Sequence, residues 1–249
     1  MCTLTVIPRE DGFLLGMNRD EQLTRGIATP PELSSLTITT AVYPRDCEGG
    51  TWIAANDHGI ALALLNWNDV PQPRGGKTRS RGEVIPSLIN FSSFEHLRCG
   101  IGQLDLQGIW PFRLVGVFPD EKIVHEWRWN GRDMESHLHE WRPGHWFSSS
   151  LSDARAMAVR GDACERAWSE PDAGSEAWLR RLHASHANGP GPFSVCVHRE
   201  NVGTLSYMEI VCDRQDVKSS YFAGSPCICH EATARVQVAR ALQRPSAGN

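Results

Sequence analysis

Short apolar runs separated by polar turns open the chain and predict two β-hairpins. Residues 2–7 and 13–17 are rich in strand-favouring residues, and a polar stretch that contains glycine separates them. A second hairpin is predicted from residues 51–55 and 60–65, joined by a turn at 56–59. The run 60–65 is apolar at every position, which is typical of a strand covered on both faces.

Helical spacing follows in the middle of the chain. Ser80 and Glu83 are placed as the partners of a capping box, so a helix is predicted to run from there towards Phe91. Residues 153–170 and 175–187 repeat their apolar positions at helical spacing and predict two further helices. Further strands are predicted at residues 112–117, 123–129, 193–198, 204–211 and 217–223.

The order of these elements predicts the fold class. Hairpins towards both ends of the chain, with helices grouped between them, favour an α+β layered fold over an alternating parallel one. A chain of 249 residues is near the upper size for a single core, and we predict one domain over residues 1–230. Residues 231–249 are predicted to hold a C-terminal helix, at 233–242, and a frayed tail.

Composition narrows the classes of partner. The formal net charge is -4, the isoelectric point is near 6.2, and Lys and Arg are scattered, so nucleic acid is not a predicted partner. No apolar run approaches the roughly 18 to 20 residues that span a bilayer. The start of the chain also lacks the pattern of a signal peptide. We therefore expect a cytoplasmic protein whose eight cysteines are reduced.

Five short motifs in the first part of the chain are more specific than the composition. They are Met1-Cys2-Thr3-Leu4, Met17-Asn18-Arg19-Asp20-Glu21, Gly49-Gly50-Thr51-Trp52, Leu65-Asn66-Trp67 and Arg81-Gly82-Glu83. In this order and spacing they resemble the transport and Golgi organisation 2 family, also called the NRDE family. The resemblance implies a four-layer αββα sandwich of the N-terminal nucleophile hydrolase type, distantly similar to bile-salt hydrolases and penicillin V acylases.

The same resemblance implies catalytic roles for four residues. Cys2 would be the nucleophile once Met1 is removed, because its own α-amino group, with a pKa of about 7.7–8.0, then serves as a tethered general base. Arg19 would lower the pKa of the thiol, and Asp20 would hold the α-amino group or orient Arg19. Asn66 would donate its side-chain amide to the developing oxyanion. This interpretation requires all of these side chains to converge on Cys2.

A bound ligand is predicted to contact Asn18, Trp52 and Ser150. Ser150 stands where the related acylases carry an active-site asparagine, and its hydroxyl can still donate a hydrogen bond. Leu205 stands where some relatives carry an arginine, and Arg199 is close enough in sequence to replace that cation.

Structural interpretations of the same residues remain open. Cys2 also fits a small residue of a first strand, and Arg19 with Asp20 fits a local ion pair at a strand end. Trp52 also fits the core, and Asn66 fits a hydrogen bond to a strand-end backbone group.

Two functional interpretations and one structural interpretation are compatible with these observations. The first is a cysteine amidohydrolase or acyltransferase that acts on a small amide or acyl conjugate. The second is a non-catalytic carrier that holds haem or a lipid or acyl ligand in the same pocket, since proposed roles of the family include haem trafficking and lipid homeostasis. The third is an interaction domain without a small ligand.

No cofactor or metal is predicted. Cys227, Cys229 and His230 place three soft ligands in a short run. Structural zinc sites, however, usually combine a CxxC pair with a second cluster elsewhere. We therefore interpret these cysteines as thiols without a metal.

Overall fold

Thirteen strands in two antiparallel sheets form the centre of the computed structural model, in which residues 2–71, 78–187 and 189–241 are described. The strands are β1 (Cys2–Arg9), β2 (Gly12–Gln22), β3 (Thr29–Ser35), β4 (Thr40–Arg45), β5 (Ile53–Asn56), β6 (Ala61–Asn66), β7 (Phe112–Phe118), β8 (Ile123–Trp129), β9 (Met134–His139), β10 (Gly144–Ser148), β11 (Val202–Cys212), β12 (Asp216–Ala223) and β13 (Ala234–Ala239). The helices are α1 (Val84–Leu88), α2 (Phe94–Ile101), α3 (Asp153–Ala167) and α4 (Glu176–His183).

The two sheets pack face to face through an apolar layer. The first sheet has the order β10-β1-β2-β11-β12-β13, and the second has the order β3-β4-β5-β6-β7-β8-β9. Successive residues of a strand point to opposite faces. Leu15 of β2 therefore enters the layer between the sheets, where it joins Val42, Ile53 and Val115 of the second sheet. Its neighbour Leu14 points to the other face of the first sheet.

Helices cover both outer faces. On the first sheet, Leu14 belongs to an apolar cluster with Ala156 of α3 and Leu179 of α4. On the second sheet, Leu62 and Leu114 belong to a cluster with residues of α1 and α2. The layers therefore run helix, sheet, sheet, helix, which confirms the predicted α+β sandwich.

The predicted helix after Ser80 begins differently. The Ser80 hydroxyl accepts a hydrogen bond from the backbone N–H of Gly82, and this bond starts a 3-10 turn over Arg81–Glu83 before α1. Glu83 is not the reciprocal partner of a capping box, because its carboxylate forms an ion pair with Arg79 at 2.9 Å. The helix therefore starts at Val84 and ends at Leu88, short of Phe91.

The helix predicted at 233–242 is wrong. Ala234–Ala239 is strand β13, which pairs antiparallel with β12 at the edge of the first sheet. Its residues alternate between half-buried and exposed positions, which is the two-residue period of a strand. Pairing with β12 supplies hydrogen bonds that override the local helical tendency. The predicted tail beyond this strand lies largely in residues 242–249, outside the described residues.

Two other segments depart from the sequence prediction. Residues 193–198 do not form a strand of either sheet, and only isolated bridges join Val197 to Gly191 and His198 to Gly203. Residues 29–31 contain two prolines, which are typical of a loop, yet they begin edge strand β3, where an irregularity in the pairing accommodates both prolines. No helix of the described residues is long and apolar enough to cross a membrane.

Candidate active site around Cys2

Cys2 begins the strand that lies between β2 and β10 in the first sheet. It is opposite Arg19 in one pairing and opposite Ser148 in the other. Its backbone nitrogen donates a hydrogen bond to the Ser148 hydroxyl at 2.9 Å. Only 6% of the residue is exposed, yet it lines a cleft of about 360 Å³, which we call the Cys2 cleft. The position of Met1 lies outside the described residues.

Both sheets contribute walls to the Cys2 cleft. Arg19 and Asp20 come from β2 of the first sheet, and Leu64 and Asn66 come from β6 of the second. Asn66 is the last residue of its strand and is only half-buried. Within the described residues its side-chain amide has no hydrogen-bond partner, so it is available to a ligand.

Two motifs that are distant in sequence meet at the rim of this cleft. Gly50 and Gly82 approach so closely that a Cβ on Gly50 would lie 2.9 Å from the Cα of Gly82. The N–H of Thr51 also donates to the carbonyl oxygen of Gly82 at 3.1 Å. This contact requires the absence of side chains on both glycines and brings the neighbouring Arg81 into the cleft wall. Arg81 belongs to one of the five sequence motifs, but it was not among the predicted site residues.

Arg81 adds a positive charge to the cleft. Its guanidinium lies over the Trp110 ring, 5.7 Å from the centroid, and donates to the carbonyl oxygen of Pro111 at 3.3 Å. Burial lowers its pKa from the ordinary arginine value, and a negative charge on Cys2 would raise it again. No carboxylate of the described residues forms an ion pair with it.

Arg19 does not contact the thiol as the catalytic interpretation required. Its guanidinium stacks over the Trp52 ring at 4.6 Å and lies 3.9 Å from a carboxylate oxygen of Glu21. Among the described residues it forms no hydrogen bond to the Cys2 sulfur. Trp52 lines the cleft, as predicted for a ligand contact, and it also holds Arg19 in place.

The Cys2 thiol has a raised pKa rather than the lowered one that was expected. Burial is the largest cause, and the negative charge of Asp20 adds to it. The positive charge of the chain's N-terminus, the hydrogen bond from the backbone N–H of Asp20 and the positive charge of Arg19 oppose the rise, but burial outweighs them. The resting thiol is therefore neutral, and a reaction at this sulfur needs a base.

Asp20 is held by two buried partners. The Thr204 hydroxyl donates a hydrogen bond to Oδ1 of Asp20 at 2.6 Å, and Nη1 of Arg160 lies 3.5 Å from Oδ2. Burial raises the pKa of Asp20, and the positive charge of Arg160 acts in the opposite direction. Arg160, rather than Arg19, is therefore the cation that orients this carboxylate.

Arg160 of α3 is a site residue that the sequence analysis missed. It is fully buried, and its Nη1 donates to the backbone oxygen of Cys2 at 3.3 Å and to the Thr3 hydroxyl at 2.9 Å. The sequence did contain an indication that this arginine is buried. Arg160 lies four residues after Ala156 and three before Ala163, on the buried stripe of the predicted helix.

Asn18 and Ser150 do not line the Cys2 cleft. Asn18 points to the helical side of the first sheet, where its amide donates to the backbone oxygens of His183 and Val195, both at 2.9 Å. These hydrogen bonds occupy the amide, so its predicted ligand contact does not fit its position. Ser150 is exposed, and its hydroxyl accepts a hydrogen bond from Arg199 at 3.3 Å.

The arrangement is similar in fold to solved structures of N-terminal nucleophile hydrolases. Two antiparallel sheets between helical layers, with a cysteine at the start of an inner strand, form the N-terminal nucleophile hydrolase fold. Penicillin V acylase from Agrobacterium tumefaciens has a TM-score of 0.50 at 12% identity, over 90% of this chain and 83% of that chain. A cysteine-to-alanine mutant of conjugated bile acid hydrolase from Clostridium perfringens has a TM-score of 0.52 at 12% identity, over 96% and 92% of the two chains.

The profile of the family Transport and Golgi organisation 2 matches residues 1–153, and the chain belongs to this family. A search of curated proteins finds no match. The family and the fold thus agree with the resemblance carried by the sequence motifs.

Proposed function

We propose that this protein is a cysteine N-terminal nucleophile hydrolase or acyltransferase that acts on a small amide or acyl conjugate. The observation that carries the proposal is the Cys2 cleft, where a strand-initial thiol shares a wall with the unoccupied amide of Asn66 and the cation of Arg81. The names of the solved relatives, an acylase and a conjugated bile acid hydrolase, support the same reaction class.

The raised pKa of Cys2 determines how the reaction would begin. A neutral thiol must lose its proton as the sulfur attacks the substrate carbonyl, and a base must accept that proton. Removal of Met1 would make the Cys2 nitrogen, beside the Ser148 hydroxyl, an α-amino group able to accept it. The C–N or C–S bond of the substrate then breaks, and the same ammonium returns the proton to the leaving group. Water, or an acceptor nucleophile, finally cleaves the thioester formed on Cys2.

Two features of the cleft indicate how the substrate would be bound. The Asn66 amide would donate to the oxyanion, where one such donor contributes about 3 kcal/mol to transition-state stabilisation. Arg19 and Arg81 bring positive charge to the cleft; Arg19 lies 3.9 Å from the Glu21 carboxylate, and Arg81 forms no ion pair with a carboxylate of the described residues. A substrate that carries a carboxylate or another anionic group fits this charge.

The carrier function predicted as the alternative would use the same cleft. Charged and polar side chains, among them Glu21, Arg25, Asp46 and Glu48, form much of its wall. Pockets for apolar ligands are lined mainly by apolar and aromatic residues. The lining therefore favours a small polar conjugate over haem or a lipid.

Trapping of the acyl-enzyme tests the proposal. Intact mass of the purified protein should show the loss of Met1, and incubation with anionic acyl thioesters and amides should add one acyl group. Peptide mapping should place that group on Cys2, and the Cys2→Ser variant should lose it. The Cys47→Ser variant removes an exposed cysteine and should acylate normally. Retention of Met1, or acylation that survives Cys2→Ser, would contradict this mechanism.

A further inference from the structure

Four potential metal ligands converge outside the lining of the Cys2 cleft. They are His186 after α4, Cys196 and His198 before β11, and Cys227 between β12 and β13, and we call them the Cys196 cluster. Each offers one ligand atom, and all four atoms lie within 4.8 Å of one another. None of these residues has a role in the proposed hydrolase.

The distances fit a tetrahedral site. The sulfur of Cys196 lies 3.6 Å from the sulfur of Cys227 and 3.7 Å from Nε2 of His198. The sulfur of Cys227 lies 3.4 Å from Nε2 of His198. Zinc bonds of about 2.3 Å to sulfur and about 2.0–2.1 Å to nitrogen place tetrahedral ligand atoms roughly 3.3–3.8 Å apart. The three distances among Cys196, Cys227 and His198 fall in that interval, and the ligand atom of His186, within 4.8 Å of the others, would complete the tetrahedron by moving closer.

Local backbone structure explains why Cys196 and His198 point the same way. They flank buried Val197 in an extended segment, and alternate residues of such a segment share a face. The N–H of Val197 donates to the Thr204 hydroxyl at 2.8 Å, and the carbonyl of Cys196 accepts from the Ser194 hydroxyl. These hydrogen bonds orient the backbone so that the two ligand side chains point to the same side.

His186 supplies an independent indication of a missing partner. Its Nε2 is buried and has no hydrogen-bond partner among the described residues. A buried ring nitrogen without a partner is costly, and a bound metal ion would satisfy it.

We propose that the Cys196 cluster binds one Zn²⁺ as a closed structural site with two cysteine and two histidine ligands. Binding releases one proton from each thiol to solvent, and the two thiolates neutralise the charge of the ion. Four protein ligands leave no open position, so the site holds structure rather than performing catalysis. The ion would join three segments that have little regular hydrogen bonding of their own.

This site differs from the zinc site considered and rejected from the sequence. Of Cys227, Cys229 and His230, only Cys227 belongs to the cluster. The sulfur of Cys229 lies instead 3.4 Å from the carbonyl oxygen of Ala223. Cys229 therefore provides a matched control, since it is two residues from a ligand and outside the cluster.

Metal analysis of the full chain tests the proposal. Protein prepared with zinc and a reductant should contain roughly one zinc per chain. Replacement of that zinc by Co²⁺ should give the visible bands of tetrahedral cobalt and a near-ultraviolet thiolate charge-transfer band. Cys196→Ser and His186→Gln should lose most of the zinc and these bands, and Cys229→Ser should keep both. Cobalt bands that persist in Cys196→Ser would overturn the proposal.

Thiol mapping of the unaltered protein provides a test that does not depend on variants that fold. With zinc bound, half-buried Cys227 should resist alkylation, and removal of the metal by a chelator should restore its reaction. Exposed Cys47 and Cys99 should react in both states. Equal reactivity of Cys227 with and without zinc would contradict the site, and so would recovery of a Cys196–Cys227 disulfide under reducing conditions.

Discussion

The Cys2 cleft and the Cys196 cluster both place cysteine in a polar setting, but the chain builds them in different ways. Cys2 lies on a regular strand, and pairing with β2 and β10 fixes its position. The cluster draws its ligands from three irregular segments, where no continuous ladder of backbone hydrogen bonds fixes them. This difference indicates that strand pairing alone can hold a nucleophile in position, whereas irregular segments need an additional link between side chains.

The two sites also share one side chain. The Thr204 hydroxyl accepts from the N–H of Val197, beside the cluster, and donates to Asp20 in the cleft wall. Variants of the Cys2 cleft, of the Cys196 cluster and of the shared Thr204 hydroxyl therefore separate the contributions of the two sites to activity and stability.

Replacement of the nucleophile should have the largest effect. Cys2→Ser is expected to slow acylation by at least about 1000-fold, or about 4 kcal/mol in activation free energy, because the sulfur that attacks the carbonyl is lost. Acylation rates by mass spectrometry measure the change, and Cys229→Ser is the control with an unchanged rate. A Cys2→Ser rate within tenfold of the unaltered protein would place the chemistry elsewhere.

Loss of the buried cation beside Cys2 should destabilise the fold strongly. Arg160→Met leaves Asp20 buried without its cation, and we expect the free energy of unfolding to fall by about 3 kcal/mol. Urea unfolding measures it. Arg166→Met, which removes an exposed pair with Asp162 on the same helix, should cost less than about 1 kcal/mol. Equal losses in the two variants would show that the buried Arg160–Asp20 pair stabilises the fold no more than the exposed Arg166–Asp162 pair.

The shared hydroxyl should give an intermediate effect. Thr204→Val keeps the shape of the side chain but leaves the buried N–H of Val197 without an acceptor, which costs about 2 kcal/mol in unfolding free energy. Zinc content should stay close to that of the unaltered protein, because the ligands remain. Thr29→Val, at an exposed threonine, is the matched control. An unchanged stability would mean that the Thr204 hydrogen bonds contribute nothing net.

The smallest expected effect is the loss of unfolding free energy when the pH falls by one unit. Burial lowers the pKa of His183 to about 3, below the unfolded value of about 6.5. The protein is therefore fully stable with respect to this group above about pH 6.5 and loses stability as pH falls towards 3. The expected slope is about 1.4 kcal/mol per pH unit.

The variant His183→Gln isolates this contribution. His183 contacts Asn18, Thr5 and the Tyr207 ring, and His145, also bonded to Thr5, titrates with a pKa lowered to about 4 by its own burial. Urea unfolding between pH 6 and pH 4 should show a smaller slope in His183→Gln than in the unaltered protein. The exposed His96→Gln should leave the slope unchanged, and a slope that His183→Gln also retains would assign it to other groups.

Much of the Cys2 cleft was predictable because the residues concerned lie on regular elements. The first hairpin became β1 and β2, and its register places Cys2 opposite Arg19. Asn66 ends an apolar strand, as predicted, and its side chain reaches the cleft. Arg81 was not assigned, because its position depends on the contact between Gly50 and Gly82, which a local pattern does not encode.

The sequence by itself determined most of the strands, the alternation of their faces and the family, because each depends on short-range periodicity or on motifs in a fixed order. Only the tertiary structure decided that the Cys2 thiol is neutral, since its pKa depends on burial by residues from both sheets and from α3. It also decided that Cys227 meets Cys196 rather than pairing with Cys229. Burial and convergence both arise from contacts between residues far apart in sequence, and no local pattern specifies them.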